Sequence, residues 1–376
     1  MNKPIRIAIL GGGGILGAHA PAFRSLADRC SVVAISEPRA ERLPYIRQAF
    51  GDDIRVYGDY RDLLAQETLD AVDIILPHYL HAQATVEAAE RGLHVLVEKV
   101  MARNVYECDL MIDACERAGV NLTVCHDRRY HGQWMALKEV VDSGVLGDIF
   151  YWKLDHNQNV VFPEGTWVRR KDGIGGGAIM SCLTHQIDSL RWYGGEFDSV
   201  MCMTKVIPER MEGESLGVIA ATMQSGALAQ LSINWFTRSN AVDNGLWYEM
   251  VQVCGTKGEA YYMSNKGTFL LLHEPSELEQ PFVYEGTPSE SGFVQVRSGE
   301  WGGHLRCIEE WVKLVRGEPA QVLTSGRDVR GTVEVAEAAC LSAETGQRVN
   351  LPVAPRPWEP APDCAFNPEL NGIRSI

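Results

Sequence analysis

The chain has 376 residues, of which 45% are hydrophobic and 22% charged, so it has the composition of a folded globular protein and enough length for two domains. Its formal net charge is -14, with 49 acidic against 35 basic residues, which argues against a nucleic-acid partner because phosphate binding needs a concentrated basic surface. No run of about eighteen apolar residues is present to cross a membrane, and the N-terminus enters a strand pattern without a hydrophobic signal segment.

Residues 1–128 alternate short apolar runs with segments of helical periodicity. We predict strands at residues 5–10, 32–36, around 56, 71–76, 94–97 and 122–125. We predict helices at residues 15–27, 80–91 and 105–118, the last two closed by Gly92 and Gly119. Strands that alternate with helices predict an α/β fold with a doubly wound parallel sheet.

The pattern changes after a predicted helix at residues 133–143. Longer β-like runs follow, namely IFYWKLD, VMCMTKV, VIAATMQ and ALAQLSINW. They predict a large, open, mostly antiparallel sheet with helices on one face and a partner subunit on the other. Two more helices are predicted at residues 304–316 and 329–345. We therefore assign residues 129–352 to a second α/β domain and residues 353–376 to an extended, proline-rich tail.

A glycine-rich turn, GGGGILG, follows the first predicted strand and opens the first predicted helix. Its glycines Gly12, Gly14 and Gly17 match the GxGxxG pattern, and Glu37 ends the second strand twenty residues later. The first two glycines permit a tight turn close to a pyrophosphate, and the third lets the helix pack on the strand. Glu37 would accept hydrogen bonds from the adenosine ribose and repel a 2′-phosphate. This predicts a Rossmann domain that prefers NAD over NADP, although Arg39 could still be recruited to a phosphate.

The segment HVLVEKVMA places Glu98 and Lys99 at the end of a predicted parallel strand. Open α/β sheets bind their ligands at the carboxyl ends of the strands. Oxidation of an alcohol by hydride transfer needs a base for the hydroxyl proton beside the nicotinamide. A lysine there, partly withdrawn from water, could exchange protons near neutrality. An isolated Glu–Lys pair is usually a solvated ion pair, but the position at a strand end favours a catalytic Lys99.

A second cluster, GIGGGAIMSCLTHQIDSLRWYGG, combines a glycine turn with an apparent helix. Ser181, His185 and Asp188 recur on it at helical spacing, while the other side carries apolar residues into the core. His185 could relay a proton or hold a substrate hydroxyl, with Asp188 orienting the imidazole ring. The alternative is that the two side chains satisfy each other structurally, and the pattern alone does not separate the two interpretations.

The ten cysteines lie singly along the chain, without a CxxC pair or a zinc-ligand spacing. We interpret them as buried free thiols in a reducing cytoplasm. The sequence therefore predicts no metal site.

Six segments together resemble the Gfo/Idh/MocA family of sugar and cyclitol oxidoreductases. They are GGGGILG, LPHYLH (76–81), VEKV (97–100), GGGAIM…HQIDSLRW, CHDRRY (125–130) and SGVLGDIFY (143–151). The resemblance extends to about residue 352. It implies an NAD(P)-dependent dehydrogenase with a carbohydrate or cyclitol bound between the domains, and homodimers or homotetramers that form through the open sheet.

The resemblance also implies roles for individual residues. Lys99 would be the catalytic proton-transfer group, with His185 beside it. The cofactor would contact Gly12, Gly14, Ile15, Leu16, Glu37, Pro77, His78, His81, Glu98 and Lys99. In the segments KLDHNQN and TWVRRKD, several polar and aromatic side chains suit a polyhydroxylated ligand, with Trp301 and His304 as weaker candidates. The expected substrate-binding residues are Lys99, Arg128, Asp155, Asn157, Trp167, Ser181 and His185.

Three positions depart from the family pattern. Val100 replaces the proline that commonly follows the lysine, so we expect a trans peptide bond after Lys99, because cis bonds before other residues are costly. Ser181 replaces a common aspartate, so either Lys99 and His185 suffice or a carboxylate such as Asp155 or Asp188 substitutes. His78 replaces a common asparagine, and it either touches the nicotinamide end or simply begins a helix.

The predicted activity is hydride transfer between NAD and a ring secondary hydroxyl of a sugar, glycoside or inositol-like substrate. One alternative is a glycoside hydrolase or lyase that uses tightly bound NAD for transient oxidation and elimination. A less favoured alternative is a dinucleotide-binding sensor without catalysis. The sensor interpretation leaves the presence of both Lys99 and His185 unexplained.

Overall fold

The computed structural model describes residues 3–236, 247–264, 266–273, 284–285, 292–299 and 302–354. Its first sheet is parallel and has the strands β1 (Ile5–Leu10), β2 (Cys30–Ser36), β3 (Arg55–Tyr57), β4 (Ala71–Ile74), β5 (His94–Glu98) and β6 (Leu122–Cys125). The strand order β3-β2-β1-β4-β5-β6 reverses direction after β1, which leaves a crevice at the carboxyl ends of β1 and β4. The predicted doubly wound sheet is confirmed.

Helices connect these strands on both faces of the sheet. They are α1 (Leu16–Ser25), α2 (Leu43–Phe50), α3 (Tyr60–Gln66), α4 (His78–Ala89) and α5 (Val105–Ala118). Asn104 caps α5 by accepting a hydrogen bond from the backbone N–H of Glu107, and Gly119 ends it in a left-handed conformation. Helices α2 and α3 were not predicted, because their short apolar stripes fall between glycine and charged residues.

Within the described part of the chain the second sheet has ten strands, two of them only two residues long. They are β7 (Ile149–Gln158), β8 (Phe197–Val206), β9 (Glu214–Met223), β10 (Leu228–Asn234), β11 (Trp247–Gly255), β12 (Gly258–Met263), β13 (Gly267–Leu272), β14 (Tyr284–Glu285), β15 (Val294–Val296) and β16 (Val349–Asn350). Their order is β14-β15-β13-β12-β11-β7-β10-β9-β8-β16, with β7 and β10 parallel and the other pairs antiparallel. The predicted large, mostly antiparallel sheet is confirmed.

Helices cover one face of this sheet, and the other face is open. The helices of this half of the chain are α6 (Gly132–Asp142), α7 (Lys171–Ile174), α8 (Thr184–Gly194), α9 (Gly303–Val315) and α10 (Gly326–Thr345). On β8 the side chains of Val200 and Cys202 are buried under the helices, while Met201 and Met203 alternate with them and are exposed. Among the described residues no helix is long and apolar enough to span a bilayer.

Helix α9 returns to the first domain, although the sequence assigned its residues to the second. Its side chains Cys307, Ile308 and Trp311 belong to the same buried cluster as Ile7 of β1. The Trp311 ring lies 6.5 Å from that of Phe23 on α1. The first domain is therefore completed by a segment that follows the second sheet in the chain.

Candidate active site

The glycine turn after β1 is tight at Gly11 and open at Gly14. Gly11 has φ +107°, and a Cβ there would lie 2.7 Å from the carbonyl oxygen of Ile75. No atom lies within 4 Å of the position that a Cβ on Gly14 would take, and α1 begins two residues later. The backbone can thus approach a ligand, and the helix dipole favours a phosphate. Gly17 differs from the expectation, because it faces the Tyr45 hydroxyl on α2 rather than a strand.

Glu37 lies directly after β2 with its carboxylate turned back toward the glycine turn. Its Oε2 accepts a hydrogen bond of 3.0 Å from the backbone N–H of Gly12. Arg39 donates from Nε to Oε1 and from Nη2 to Oε2, both at 2.8 Å, and its side chain is 49% exposed. Glu37 therefore lies beside the glycine turn, with the half-exposed guanidinium of Arg39 bound to it.

Lys99 extends from the end of β5 into the second domain. Its Nζ donates a hydrogen bond of 3.0 Å to the backbone carbonyl of Ser181, in a π-helical turn (Ile179–Leu183) just before α8. The expectation of a trans bond after Lys99 is wrong, because Lys99–Val100 is cis. Tertiary contacts override the local preference here: Val100 is fully buried, and its carbonyl lies 2.9 Å from Nδ1 of His81.

His185 lies on α8 in a cluster of aromatic and charged groups. Its ring is parallel to that of His156 at 6.4 Å and edge-on to that of His126 at 5.8 Å. Burial, followed by the charges of Lys99 and Arg128, keeps the pKa of His185 well below its ordinary value. The imidazole is therefore neutral near pH 7, and its unprotonated ring nitrogen can accept a hydrogen bond.

Asp127 is the carboxylate that faces His185, and the sequence analysis did not propose it. Its Oδ1 is 3.8 Å from Nδ1 of His185, and its Oδ2 is 2.7 Å from Nη1 of Arg128. Asp127 lies two residues after the end of β6, and the carboxyl ends of parallel strands meet at one edge of the sheet. Its position at a strand end, in CHDRRY, was the signal that could have found it.

Asp188 does not orient His185 as predicted. Its carboxylate accepts two hydrogen bonds of 2.8 Å from Arg129 and one of 3.0 Å from Thr332 on α10. Burial alone would raise the pKa of Asp188, but Arg129 holds it below its ordinary value. Although residues three apart are neighbours on a helix, the Asp188 carboxylate is occupied by Arg129 and Thr332 and ties α8 to α10 and to the turn after β6.

Asp155 and Asn157 are not brought to this cluster. Side chains on a strand alternate between the faces of the sheet, and on β7 it is His156, between them, that is buried toward α8. Asp155 lies on the open face, where it accepts a hydrogen bond of 2.6 Å from Ser232. Neither Asp155 nor Asp188 thus replaces the aspartate missing at Ser181, and the alternation of β7 was the signal for His156.

Arg128 is brought to the site together with a second carboxylate, Glu249 of β11. Nη2 of Arg128 is 3.1 Å from Glu249 Oε2, and Gln186 donates a hydrogen bond of 2.8 Å to Oε1. Burial alone would raise the pKa of Glu249, but Arg128 and then His156 and Gln186 lower it to about 2. The guanidinium is thus neutralised by carboxylates on both sides, and Glu249 fixes its position.

This shift of Glu249 predicts an acid-dependent loss of stability. Because its folded-state pKa is below the ordinary 4.5, the carboxylate stabilises the fold above pH 4.5, and this contribution is lost as the pH falls toward 2. The Glu249→Gln variant should melt at a lower temperature near neutrality and lose less on acidification. Thermal denaturation followed by circular dichroism at several pH values would give the slope of the melting temperature against pH for the parent protein and the variant. Asp198→Asn, at a 54% exposed carboxylate, should retain the parent slope, and a parent slope in Glu249→Gln would contradict the assignment.

Trp167 and His78 meet across the two domains. Their rings are 4.8 Å apart, with Trp167 in the turn before α7 and His78 at the first residue of α4. His78 thus does begin a helix, as one of the two interpretations predicted.

His81, one turn later, is fully buried with its two ring nitrogens 2.8–2.9 Å from backbone carbonyls, so it supports the strand end carrying Lys99. Trp301 lies outside the described residues.

Glu98 is turned into the interior beside Lys99. Its Oε2 accepts a hydrogen bond of 3.0 Å from the backbone N–H of Lys99, and its Oε1 lies 2.9 Å from Nε2 of His19. Nδ1 of His19 is 2.8 Å from Asp73. Burial alone would raise the pKa of Glu98, but His19 and His304 hold it well below the ordinary value. Glu98 is therefore a buried anion rather than half of a solvated ion pair.

Family models match both halves of this arrangement. Residues 5–126 match an oxidoreductase family with an NAD-binding Rossmann fold, and residues 134–261 match the Gfo/Idh/MocA C-terminal domain. The chain belongs to the Gfo/Idh/MocA family. Membership confirms the resemblance and makes the chain an NAD-binding oxidoreductase, and the matched Rossmann segment includes the glycine turn.

Relatives within the Gfo/Idh/MocA family match nearly the whole chain. D-apiose dehydrogenase of Paraburkholderia graminis is 26% identical, over 93% of this chain and 90% of that protein. Myo-inositol 2-dehydrogenase of Thermotoga maritima is 25% identical, over 92% and 98%. Among solved structures, the WlbA dehydrogenase of Bordetella pertussis in complex with NADH and UDP-GlcNAcA is 25% identical with a TM-score of 0.76, covering 94% of this chain and 100% of that one.

Proposed function

We propose that this protein is a dehydrogenase that transfers a hydride between NAD and a ring secondary hydroxyl of a sugar, glycoside or inositol-like substrate. The observation that carries the proposal is the meeting of Lys99, from the end of β5, with Ser181 and His185 from the second domain. This meeting point lies at the carboxyl edge of the Rossmann sheet, where ligands of open α/β sheets bind. The relatives named as sugar and inositol dehydrogenases support a substrate of this class.

Lys99 serves as the general base in oxidation. When bound, NAD would supply the nicotinamide that accepts the hydride from the ring carbon, and Nζ of Lys99 would take the hydroxyl proton. Neutral His185 accepts a hydrogen bond from the substrate, and Asp127 balances the neighbouring positive charge of Arg128. Ser181 contributes through its backbone carbonyl, which accepts a hydrogen bond from Nζ of Lys99 and so holds the side chain in place.

The cofactor fits the glycine turn and the crevice next to it. The backbone at Gly12, Gly14, Ile15 and Leu16 would hold the pyrophosphate, and Glu37 the adenosine ribose. Pro77 and His78, at the start of α4, would border the nicotinamide end beside Lys99. We assign His81 and Glu98 to support of the Lys99 strand end, because both are buried within hydrogen-bonding distance of the backbone there.

The substrate would lie between Lys99, Arg128, Trp167 and His185. Trp167 offers an aromatic ring on which a sugar or cyclitol ring packs, and His156 supports His185 from the side of β7. Asp155 and Asn157 are left out of this pocket, because they lie on the other face of the sheet.

The test is absorbance at the NADH band with purified protein, NAD and a panel of cyclic sugars, glycosides and inositols. The proposal predicts growth of the band with one class of substrate. A flat trace together with release of an aglycone or an eliminated group would favour the alternative of transient oxidation by retained NAD. A flat trace without any product would contradict both enzymatic interpretations.

Cofactor preference should depend on Glu37. Glu37→Ser removes the carboxylate that repels a 2′-phosphate and frees Arg39 to bind it. Because a like-charge contact costs at least about 1.4 kcal/mol, the ratio of kcat/KM for NADP to that for NAD should rise roughly tenfold or more. Steady-state kinetics with both cofactors would measure this ratio. Glu41→Ser, at an exposed carboxylate nearby, should leave it unchanged, and an unchanged ratio in Glu37→Ser would exclude the ribose role.

We also propose that the protein forms homo-oligomers through the open face of the second sheet. Four apolar side chains are exposed on adjacent strands there, namely Met201 (50%), Met203 (74%), Val218 (49%) and Leu228 (59%). Met203 pairs with Val218 across β8 and β9, so the exposed apolar side chains of these two strands adjoin each other. Isologous dimers bury such self-complementary surfaces.

Met203→Glu should therefore dissociate the oligomer, because burying an unpaired carboxylate is costly. Sedimentation velocity would show the parent chain as a dimer or tetramer and the variant as a monomer. Leu110→Glu, at an exposed apolar residue of α5 in the first domain, is the matched control and should keep the parent size. A monomeric parent chain, or an unchanged size of Met203→Glu, would contradict this interface.

A further inference from the structure

Four metal-ligating side chains converge next to Lys99, from elements that are distant in sequence. They are His19 of α1, Glu98 at the end of β5, Cys125 at the end of β6 and His304 of α9, and their ligand atoms all lie within 4.8 Å of one another. Glu98 Oε1 is 2.9 Å from Nε2 of His19 and 3.6 Å from Nε2 of His304. Three of the four side chains are buried, and that of His304 is 25% exposed, which leaves a route from solvent.

The donor set is one that zinc prefers. Two imidazole nitrogens, a thiol sulfur and a carboxylate oxygen are all common zinc ligands, and four of them suit a closed tetrahedral site. With metal–ligand bonds of about 2.0–2.3 Å, ligand atoms in a tetrahedron lie roughly 3.3–3.7 Å apart. The 3.6 Å between Glu98 and His304 is too long for a hydrogen bond and lies within this range. The other distances between ligand atoms, which are at most 4.8 Å, reach this range with modest side-chain shifts.

Both histidines have a carboxylate at the ring nitrogen that points away from the cluster. Nδ1 of His19 is within hydrogen-bonding distance of Asp73 at 2.8 Å, whereas Nδ1 of His304 faces Asp127 in a longer contact of 3.6 Å. Zinc-bound histidines commonly place a carboxylate at that second nitrogen, which fixes the ring orientation and leaves Nε2 for the metal. The two outer carboxylates are an observation separate from the four donors, and they favour the same interpretation.

We propose that this chain binds one zinc ion through His19, Glu98, Cys125 and His304. The ion replaces the proton shared by His19 and Glu98 and the proton of the Cys125 thiol, and both protons are released to solvent. Since Glu98 also accepts a hydrogen bond from the backbone N–H of Lys99, the metal fixes the strand end that carries Lys99. Each ligand comes from a different element, so the sequence spacing that predicted no metal site could not detect it.

The test is a titration of tag-free, chelator-treated protein with Co²⁺, which reports on zinc sites through its absorption. We expect one equivalent to bind, with the strong visible bands of tetrahedral cobalt and a thiolate-to-cobalt band in the near ultraviolet. One equivalent of zinc should remove both. Absence of these bands, with no metal retained after dialysis, would overturn the proposal.

Two variants locate the site. Cys125→Ser should lose the thiolate band. His304→Gln should weaken Co²⁺ binding by at least about tenfold, because in other metalloproteins the loss of a residue that only hydrogen-bonds to a ligand already has an effect of this size. Cys115→Ser, at a buried cysteine of α5, is the matched control and should keep the parent titration. A thiolate band that persists in folded Cys125→Ser would place the metal elsewhere and overturn the assignment. Circular dichroism and NAD binding establish that each variant is folded.

Discussion

Replacing Lys99 by methionine is expected to lower kcat by about 10²–10⁴-fold, the usual contribution of a general acid–base group, while the affinity for NAD changes little. Methionine keeps most of the side-chain length but has no group to take the hydroxyl proton. The hydrogen bond from Nζ to the carbonyl of Ser181 is lost as well. Steady-state kinetics on a substrate found with the panel, together with NAD titration by fluorescence, would measure the two effects separately.

Lys313→Met is the matched control for this experiment. Lys313 lies on α9 and pairs with Glu310 and Glu309 near the surface, far along the helix from His304. Its replacement should leave kcat within a few-fold of the parent value. A comparably small change in Lys99→Met would contradict the role of Lys99 as the base, and a large loss of NAD affinity would assign Lys99 to cofactor binding instead.

Asp188→Ala is expected to destabilise the fold by about 3–5 kcal/mol, because it leaves Arg129 buried without its main partner. Asp188 is fully buried and accepts two hydrogen bonds of 2.8 Å from Arg129, and its low pKa keeps it charged near neutrality. Urea denaturation of the two proteins would measure the loss in the free energy of unfolding.

Asp328→Ala tests the same guanidinium from its outer side. Asp328 lies 2.6 Å from Nη1 of Arg129, but its side chain is 40% exposed, so its loss should cost only about 0–1 kcal/mol. Equal losses in the two variants would contradict the buried ion pair. A folded Asp188→Ala protein with a loss of kcat as large as that of Lys99→Met would restore the predicted role of Asp188 in orienting His185.

The elements that depend on local pattern were predictable from the sequence. The glycine turn, the acid at Glu37 and the lysine at the end of β5 are each placed by an apolar run that stops at a defined residue. Helix α5 was predicted with its observed bounds, because Gly119 marks its end, and the structure adds Asn104 as the cap at its start. The helix carrying His185 was also found, since its apolar and polar residues recur at helical spacing.

The residues that the sequence analysis missed or misplaced depend on which side of an element faces the site. His156 and Asp155 are neighbours on β7, and only the burial of one face shows which of them turns toward His185. Asp188 lies one helical turn from His185, yet its partner is Arg129 of another segment. Asp127 and the cluster at His19 are assembled from strand ends and helices far apart in the chain, so spacing along the sequence could not reveal them.

The cis peptide bond after Lys99 could not be predicted from local sequence preference. Local propensity favours a trans peptide before valine, but the cis bond here is enclosed by a buried side chain and by His81 against the Val100 carbonyl. The domain boundary has a similar limit, because α9 follows the second sheet in sequence and still packs on α1. Tertiary contacts decide both features.

The most direct test of the central claim is the fate of the ring hydrogen. The protein is incubated with NAD and a panel compound that carries deuterium on its ring carbons, and the cofactor is analysed by mass spectrometry. Hydride transfer from a ring carbon predicts that NADH and the oxidised ring compound are formed in equal amounts and that each NADH carries one deuterium atom from the ring. Ring compounds that are cleaved or eliminated without labelled NADH leaving the enzyme would contradict a dehydrogenase.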